Sequence, residues 1–172
     1  MTDIVNFFEK LAGRWFSQRT THYLTEQTSK AGKSELEIDF LAPDQAAVTR
    51  LCNQASVDPG SALCGLSIAQ KSTIEGHAKQ RIRTTLIVPV ADEDNTTGRL
   101  LYSEENAPRC TYQFEQDVLT LTTADDRVCT EERWWFITDN LRMRTQMVKP
   151  KEGPDLASFC SEIRLGAKPP QP

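Results

Sequence analysis

From Ala69 to Lys149 the chain is a succession of short extended segments. "AQKSTIEGHAKQ", "RIRTTLIVPV", "GRLLYSEE", "RCTYQFEQDVLTLTTADD", "RVCTEERWWFI" and "LRMRTQMVK" are broken by the turn signals "DEDNTTG", "ENAP", "EQD", "ADD" and "TDN". Such segments, rich in β-branched and aromatic residues and evenly spaced, read as strands joined by tight turns. Two more alternating segments lie upstream, "RWFSQRTTHYLT" and "SELEIDFLAP", the second with Leu36, Ile38 and Phe40 on one face. About eight to ten strands in sequence form a meander that closes on itself, so the expected fold class is all-β, a closed antiparallel up-and-down β-barrel. A barrel of that strand number has an interior that side chains just fill, or that holds one small ligand.

Helical periodicity is confined to three places. Ile4, Val5, Phe7, Phe8 and Leu11 recur at helical spacing after a capping Thr2, and Gly13 fits the end of that helix. "DQAAVTRLCNQA" reads as a short helix capped by Asp44, with Ala47, Val48, Leu51 and Cys52 on one side. "GPDLASFCSEIRLG" reads as one more short helix. No repeat or linker interrupts the chain. Residues 1–165 are therefore expected to form a single barrel domain, and 166–172, ending in "AKPPQP", a flexible tail.

Composition narrows the function classes. The net charge of the 172 residues is -4, against the basic footprint that nucleic acid requires. The first residues lack the basic and unbroken apolar regions of a signal peptide, and no segment is apolar for long enough to span a bilayer. Cys52, Cys64, Cys110, Cys129 and Cys160 contain no CxxC pair and read as free thiols of a reducing compartment, all five structural. His22 and His77 belong to no ligand-spaced cluster, so no metal is expected.

Within this frame "ERWWFITDNLRMRT" is anomalous, because Arg142 and Arg144 project from the same face of a half-buried strand. Like charges there cost free energy unless an anion lies between them. If Thr138, Asp139 and Asn140 form the loop, Phe136 faces Arg142, Trp134 faces Arg144, and Glu132 joins the same face. A two-residue turn at Asp139-Asn140 would bring Trp135 and Ile137 beside the arginines and turn Glu132 away. The first register gives the arginines a carboxylate. In a closed barrel the first strand also neighbours the last, so either Ser17 and Arg19 or Gln18, Thr20 and His22 can stand beside Arg142 and Arg144. More than one arginine fork suits a ligand with more than one carboxylate. The bland reading is a solvent-facing pair bonded to a neighbour such as Glu131.

The Gly-x-Trp of "LAGRW", with a late-strand arginine able to lie over that Trp, resembles the lipocalin and fatty-acid-binding barrels. "FFEKLAGRWFSQRTTHYL", "DQAAVTRLC", "EERWWFITDNLRMRT" and "SFCSEIR", in that order, resemble the S-type phycobiliprotein chromophore lyases, lipocalin-like proteins of cyanobacteria and algal plastids. The resemblance implies binding of a linear tetrapyrrole such as phycocyanobilin. It further implies addition of a cysteine thiol of an apo-phycobiliprotein subunit to the bilin, forming a thioether. The bilin is substrate and no cofactor is implied. Arg19, His22, Trp134, Phe136, Arg142 and Arg144 are carried over as bilin-binding, and Glu132 as the catalytic carboxylate that favours a protonated bilin. One departure is Ile74 in "IEG", where many relatives have Trp. The implied location is the cytoplasm, or the stroma of an algal plastid. Alternatives are a non-catalytic bilin carrier, a homodimer or one half of a heteromeric lyase with a paralogous partner, and an assembly chaperone for phycobilisome subunits.

Overall fold

A computed structural model describes residues 3–166; Thr2 and most of the tail lie outside them. The strands are β1 (Gly13–Tyr23), β2 (Thr28–Leu41), β3 (Gly65–Ile74), β4 (Arg81–Ala91), β5 (Thr97–Tyr102), β6 (Cys110–Glu115), β7 (Val118–Ala124), β8 (Val128–Thr138), β9 (Leu141–Pro150) and β10 (Leu156–Arg164). They form one closed barrel in which each strand pairs with its sequence neighbour and β1 pairs with β10. All pairings are antiparallel, so the meander closes as its spacing predicts.

Helix α1 (Ile4–Leu11) seals one end of the barrel. Its cap is Asp3, whose carboxylate accepts from the Asn6 amide at 2.8 Å, rather than Thr2. Phe7 packs on Phe114 and Phe136 at centroid distances of 5.2 and 5.3 Å. The fully buried Trp15 donates its indole N–H to the Leu11 carbonyl at 2.9 Å. Arg142 and Arg164 lie over the two sides of this closure, 4.5 and 4.2 Å from the Trp15 ring. Arg164 also donates to the carbonyls of Ala12, Lys10 and Asp139, tying the end of β10 to the C-terminus of α1 and to the β8–β9 turn.

Helix α2 (Ala46–Gln54) begins at Gln45 without a side-chain cap, in place of the expected Asp44. It covers the outside of β4 and β5, where Val48, Leu51 and Cys52 meet Val88, Val90 and Leu101. The third expected helix is instead β10. Leu156, Phe159, Cys160 and Ile163 mimic a helical stripe, but Ser158, Cys160 and Glu162 face the barrel interior while Phe159 and Ile163 are exposed. The free edges of β1 and β9 outweigh local propensity, since only a strand can satisfy both.

Candidate functional site

The β8–β9 hairpin turns at Asp139-Asn140, yet a bulge between Phe136 and Thr138 restores the pairing of Phe136 with Arg142 and Trp134 with Arg144. One extra residue, Ile137, is absorbed outside the ladder. Glu132, Trp134, Phe136, Arg142 and Arg144 consequently share the inner face.

Closure by β1 and β10 then assembles two rows across the wall. One runs from Phe136 through Arg142, Glu162, Ser17, Ser34 and Ser72 to Arg81. The other runs from Trp134 through Arg144, Cys160, Arg19 and Gly32 to Ile74. Strand tilt makes both rows climb from the end sealed by α1 towards the open mouth.

The anion between the arginines is the chain's own Glu162. Its Oε1 lies 2.9 Å from Nε of Arg142 and 2.9 Å from Nε of Arg144, and the residue is fully buried. Burial pushes the Glu162 carboxyl up, but Arg144 and Arg142 outweigh it and hold it below the usual carboxylate range. Burial pushes Arg142 down to about 10 against the opposing pull of Glu162. Arg144 has a second carboxylate, with Nη1 3.4 Å from Oε1 of Glu132. That same oxygen accepts the Trp134 indole N–H at 2.7 Å. Two arginines and two carboxylates thus form an internally neutral group.

Above this group a cavity of about 400 Å³ opens to the mouth, lined among others by Ser17, Arg19, Thr21, Lys30, Gln70 and Arg144. Its hydroxyls are mutually bonded: Ser34 and Ser72 lie 3.0 Å apart, and Gln70 donates to them at 3.2 and 2.8 Å. Thr21 and Ser158 lie 3.1 Å apart. Arg83 is paired with Glu104 at the rim. Arg19 contacts only the Cys160 sulfur, at 3.1 Å from its Nε, and has no carboxylate partner among the described residues. Like Lys30 and Arg81, which also line the cavity without an ion pair among the described residues, it is a cation left over for a ligand.

The sequence-derived set therefore separates. Arg19 and Arg144 reach the cavity, and Glu132 and Trp134 stand immediately behind Arg144. Arg142 does not reach it, because Glu162 and Trp15 enclose it at the sealed end. Phe136 is packing beneath α1. His22 is exposed on the outer face, since it alternates with Thr21 and Tyr23. Ile74 lies at the mouth. Glu162, Gln70 and Lys30 were absent from the expected set; the alternation of Ser158, Cys160 and Glu162 is the signal for the first. Burial raises the thiols of Cys64 and Cys110 to about 12 and about 11, so they rest as neutral thiols.

A family model described as CpeS-like protein matches residues 3–165. The chain belongs to the CpeS-like family. Among curated relatives, the "Chromophore lyase CpcS/CpeS" of Thermosynechococcus vestitus is 41% identical, covering 98% of this chain and 96% of that protein. "Chromophore lyase CpcS/CpeS 1" of Trichodesmium erythraeum is 39% identical over 94% and 97%. Among solved structures, the S-type phycobiliprotein lyase CPES of Guillardia theta superposes with a TM-score of 0.86 at 26% identity, covering 97% of this chain and 95% of that one. The CpeS-like match thus includes both rows of the wall and the helix that seals them.

Proposed function

We propose that this chain is a phycobiliprotein chromophore lyase that holds a linear tetrapyrrole in its barrel cavity and hands it to a cysteine of an apo-phycobiliprotein subunit. The names of its relatives support the reaction class. Arg19 is the observation that carries the site, because it is a cavity cation with no carboxylate of its own. One propionate of the bilin meets Arg19, where a charge-assisted bond replaces the weak contact to sulfur. Arg144 contributes from the same row, its charge already shared with Glu132 and Glu162. The bonded hydroxyls of the wall accept and donate to the polar edge of the pigment, and Trp134 flanks it.

Glu132 keeps Oε1 occupied by Trp134 and Arg144, which leaves Oε2 to accept from a pyrrole N–H. A carboxylate at that position favours the protonated pigment and makes its ethylidene carbon more electrophilic. The thiol of the acceptor subunit then adds across the ethylidene double bond: sulfur bonds to carbon, its proton ends on the adjacent carbon, and nothing leaves. The acceptor supplies that thiol, which accords with the high thiol pKa values inside the barrel. The setting is the cyanobacterial cytoplasm or its plastid counterpart.

The test mixes the chain with phycocyanobilin and an apo-phycobiliprotein subunit, then reads zinc-enhanced bilin fluorescence on a denaturing gel. Covalent product with native absorption is the expected result. A coloured barrel with no transfer makes the protein a carrier, and an uncoloured one overturns the reading. Arg19→Leu is expected to weaken bilin binding about 10-fold to 100-fold with the melting temperature unchanged, the loss of a charged hydrogen bond.

A further inference from the structure

The unpaired cations of the cavity wall differ in where the register puts them. Arg19 pairs with Gly32, and two residues further towards the mouth Thr21 pairs with Lys30. All four positions share the inner face, so Lys30 stands one strand over from Arg19 and two residues above it. At about 4.8 Å between strands and about 3.3 Å per residue, their Cα atoms lie roughly 8 Å apart. Strand tilt cancels the sideways step and carries that diagonal almost straight up the barrel axis. Arg81 stands apart from this pair. It ends the row of Ser17, Ser34 and Ser72, three strands and about 14 Å around the wall from β1.

The Lys30 ammonium rests over the Tyr23 ring, 5.8 Å from its centroid, with no carboxylate partner among the described residues. Two free cations stacked along the axis suit a ligand whose two carboxylates sit one above the other. A linear tetrapyrrole carries its propionates on the two central rings, B beside A and C beside D. Holding both against one vertical pair stands the pigment upright, with one outer ring at the mouth and the other in the depth. The depth is closed by α1, where Phe7 packs on Phe114 and Phe136, so an acceptor thiol enters from the mouth.

Building on the lyase reading above, we propose that Lys30 binds the ring B propionate and Arg19 the ring C propionate, so that ring A with its ethylidene group points out of the mouth. The ring that must bond to sulfur is then the one the acceptor can reach. Lys30 meets no reacting atom; it determines which end of the pigment is offered.

The two separable monomethyl esters of phycocyanobilin, one blocked at ring B and one at ring C, test this when their dissociation constants are read by absorption titration. Lys30→Met is expected to weaken binding of the diacid and of the ring C ester about 3-fold to 10-fold, the loss of one part-solvated charged contact, and to leave the ring B ester unchanged. Arg19→Leu should weaken the diacid and the ring B ester and spare the ring C ester. Lys30 is exposed, and a merely structural role would move all three pigments alike. Lys149→Met removes an exposed cation from the outer face of β9 and should change none of them. An exchange of the two ester patterns puts ring D at the mouth and overturns the orientation. Equal losses for all three pigments, or a loss carried by Arg81→Met in place of Lys30→Met, overturn the Lys30 contact. So does a Lys30→Met chain that binds every pigment like the parent but shows a raised KM for the apo-subunit, which assigns the ammonium to that partner. A parent chain that binds no phycocyanobilin overturns the lyase reading itself, a result visible before any variant is compared.

Discussion

Glu162 decides whether Arg142 and Arg144 are a cost or a support. It is the shared counter-ion of two buried guanidinium groups, and removing one member of such a group strands the others without compensation. Glu162→Gln is expected to lower unfolding free energy by about 3–5 kcal/mol, measured by urea denaturation near neutral pH. The carboxyl is held below its ordinary range in the folded state, so the unfolded chain binds the proton more readily. Its stabilisation is therefore complete above the unfolded carboxylate pKa of about 4.3 and disappears as pH falls through the lower folded value. The difference between parent and Glu162→Gln should accordingly shrink under acid; a constant difference down to full protonation refutes the assignment. Glu132 has a different duty. Glu132→Gln should leave bilin affinity within a few-fold while shifting the absorption of the bound pigment and slowing transfer about 10-fold to 100-fold. An unchanged spectrum and rate would remove it from the mechanism.

At the scale of elements, the closeness of β4, β5 and β6 rests on Gly98. A Cβ at that position would run into the Val90 carbonyl oxygen and stand 2.8 Å from the Tyr112 ring. Backbone cannot give way as a flexible side chain can. Gly98→Ala is thus expected to cost about 3 kcal/mol, read as a lower denaturation midpoint with an unchanged slope. The meander, both helices and the pairing of Arg142 with Phe136 were legible from alternation, turn residues and hydrophobic spacing. The β8–β9 turn combined features of both candidate registers: the chain reverses at Asp139-Asn140, and Ile137 bulges out to keep the longer register. Bulges leave no reliable mark in a single sequence. β10 was misread because its outward Phe159 and Ile163 complete a helical stripe that a solvent-facing strand seldom carries. That one misreading concealed Glu162, and so left Arg142 looking like a ligand contact. Arg19, by contrast, was legible because its strand alternates cleanly and closure put it beside β10.

For the whole molecule, the barrel divides into a sealed apolar end, an internally neutral belt of charge, and a polar mouth. Among the described residues no helix is long and apolar enough to cross a membrane. The five cysteines report on this layering, since Cys52, Cys64, Cys110 and Cys160 are buried and Cys129 is exposed. A thiol reagent added to the native protein should modify Cys129 quickly and the others only at the rate of unfolding, a pattern that tryptic mass spectrometry resolves. Rapid labelling of Cys160 would mean that the wall beside Arg19 opens on its own.

The seam between β1 and β10 joins residues more than a hundred positions apart, and it is there that Arg19 meets Cys160. During translation the first strand must wait unpaired on that side until the segment reaching Glu162 has emerged from the ribosome. Pigment capture is thereby postponed to the last moments of folding, and a chain stalled short of that point offers no finished receptacle in which a reactive chromophore could lodge.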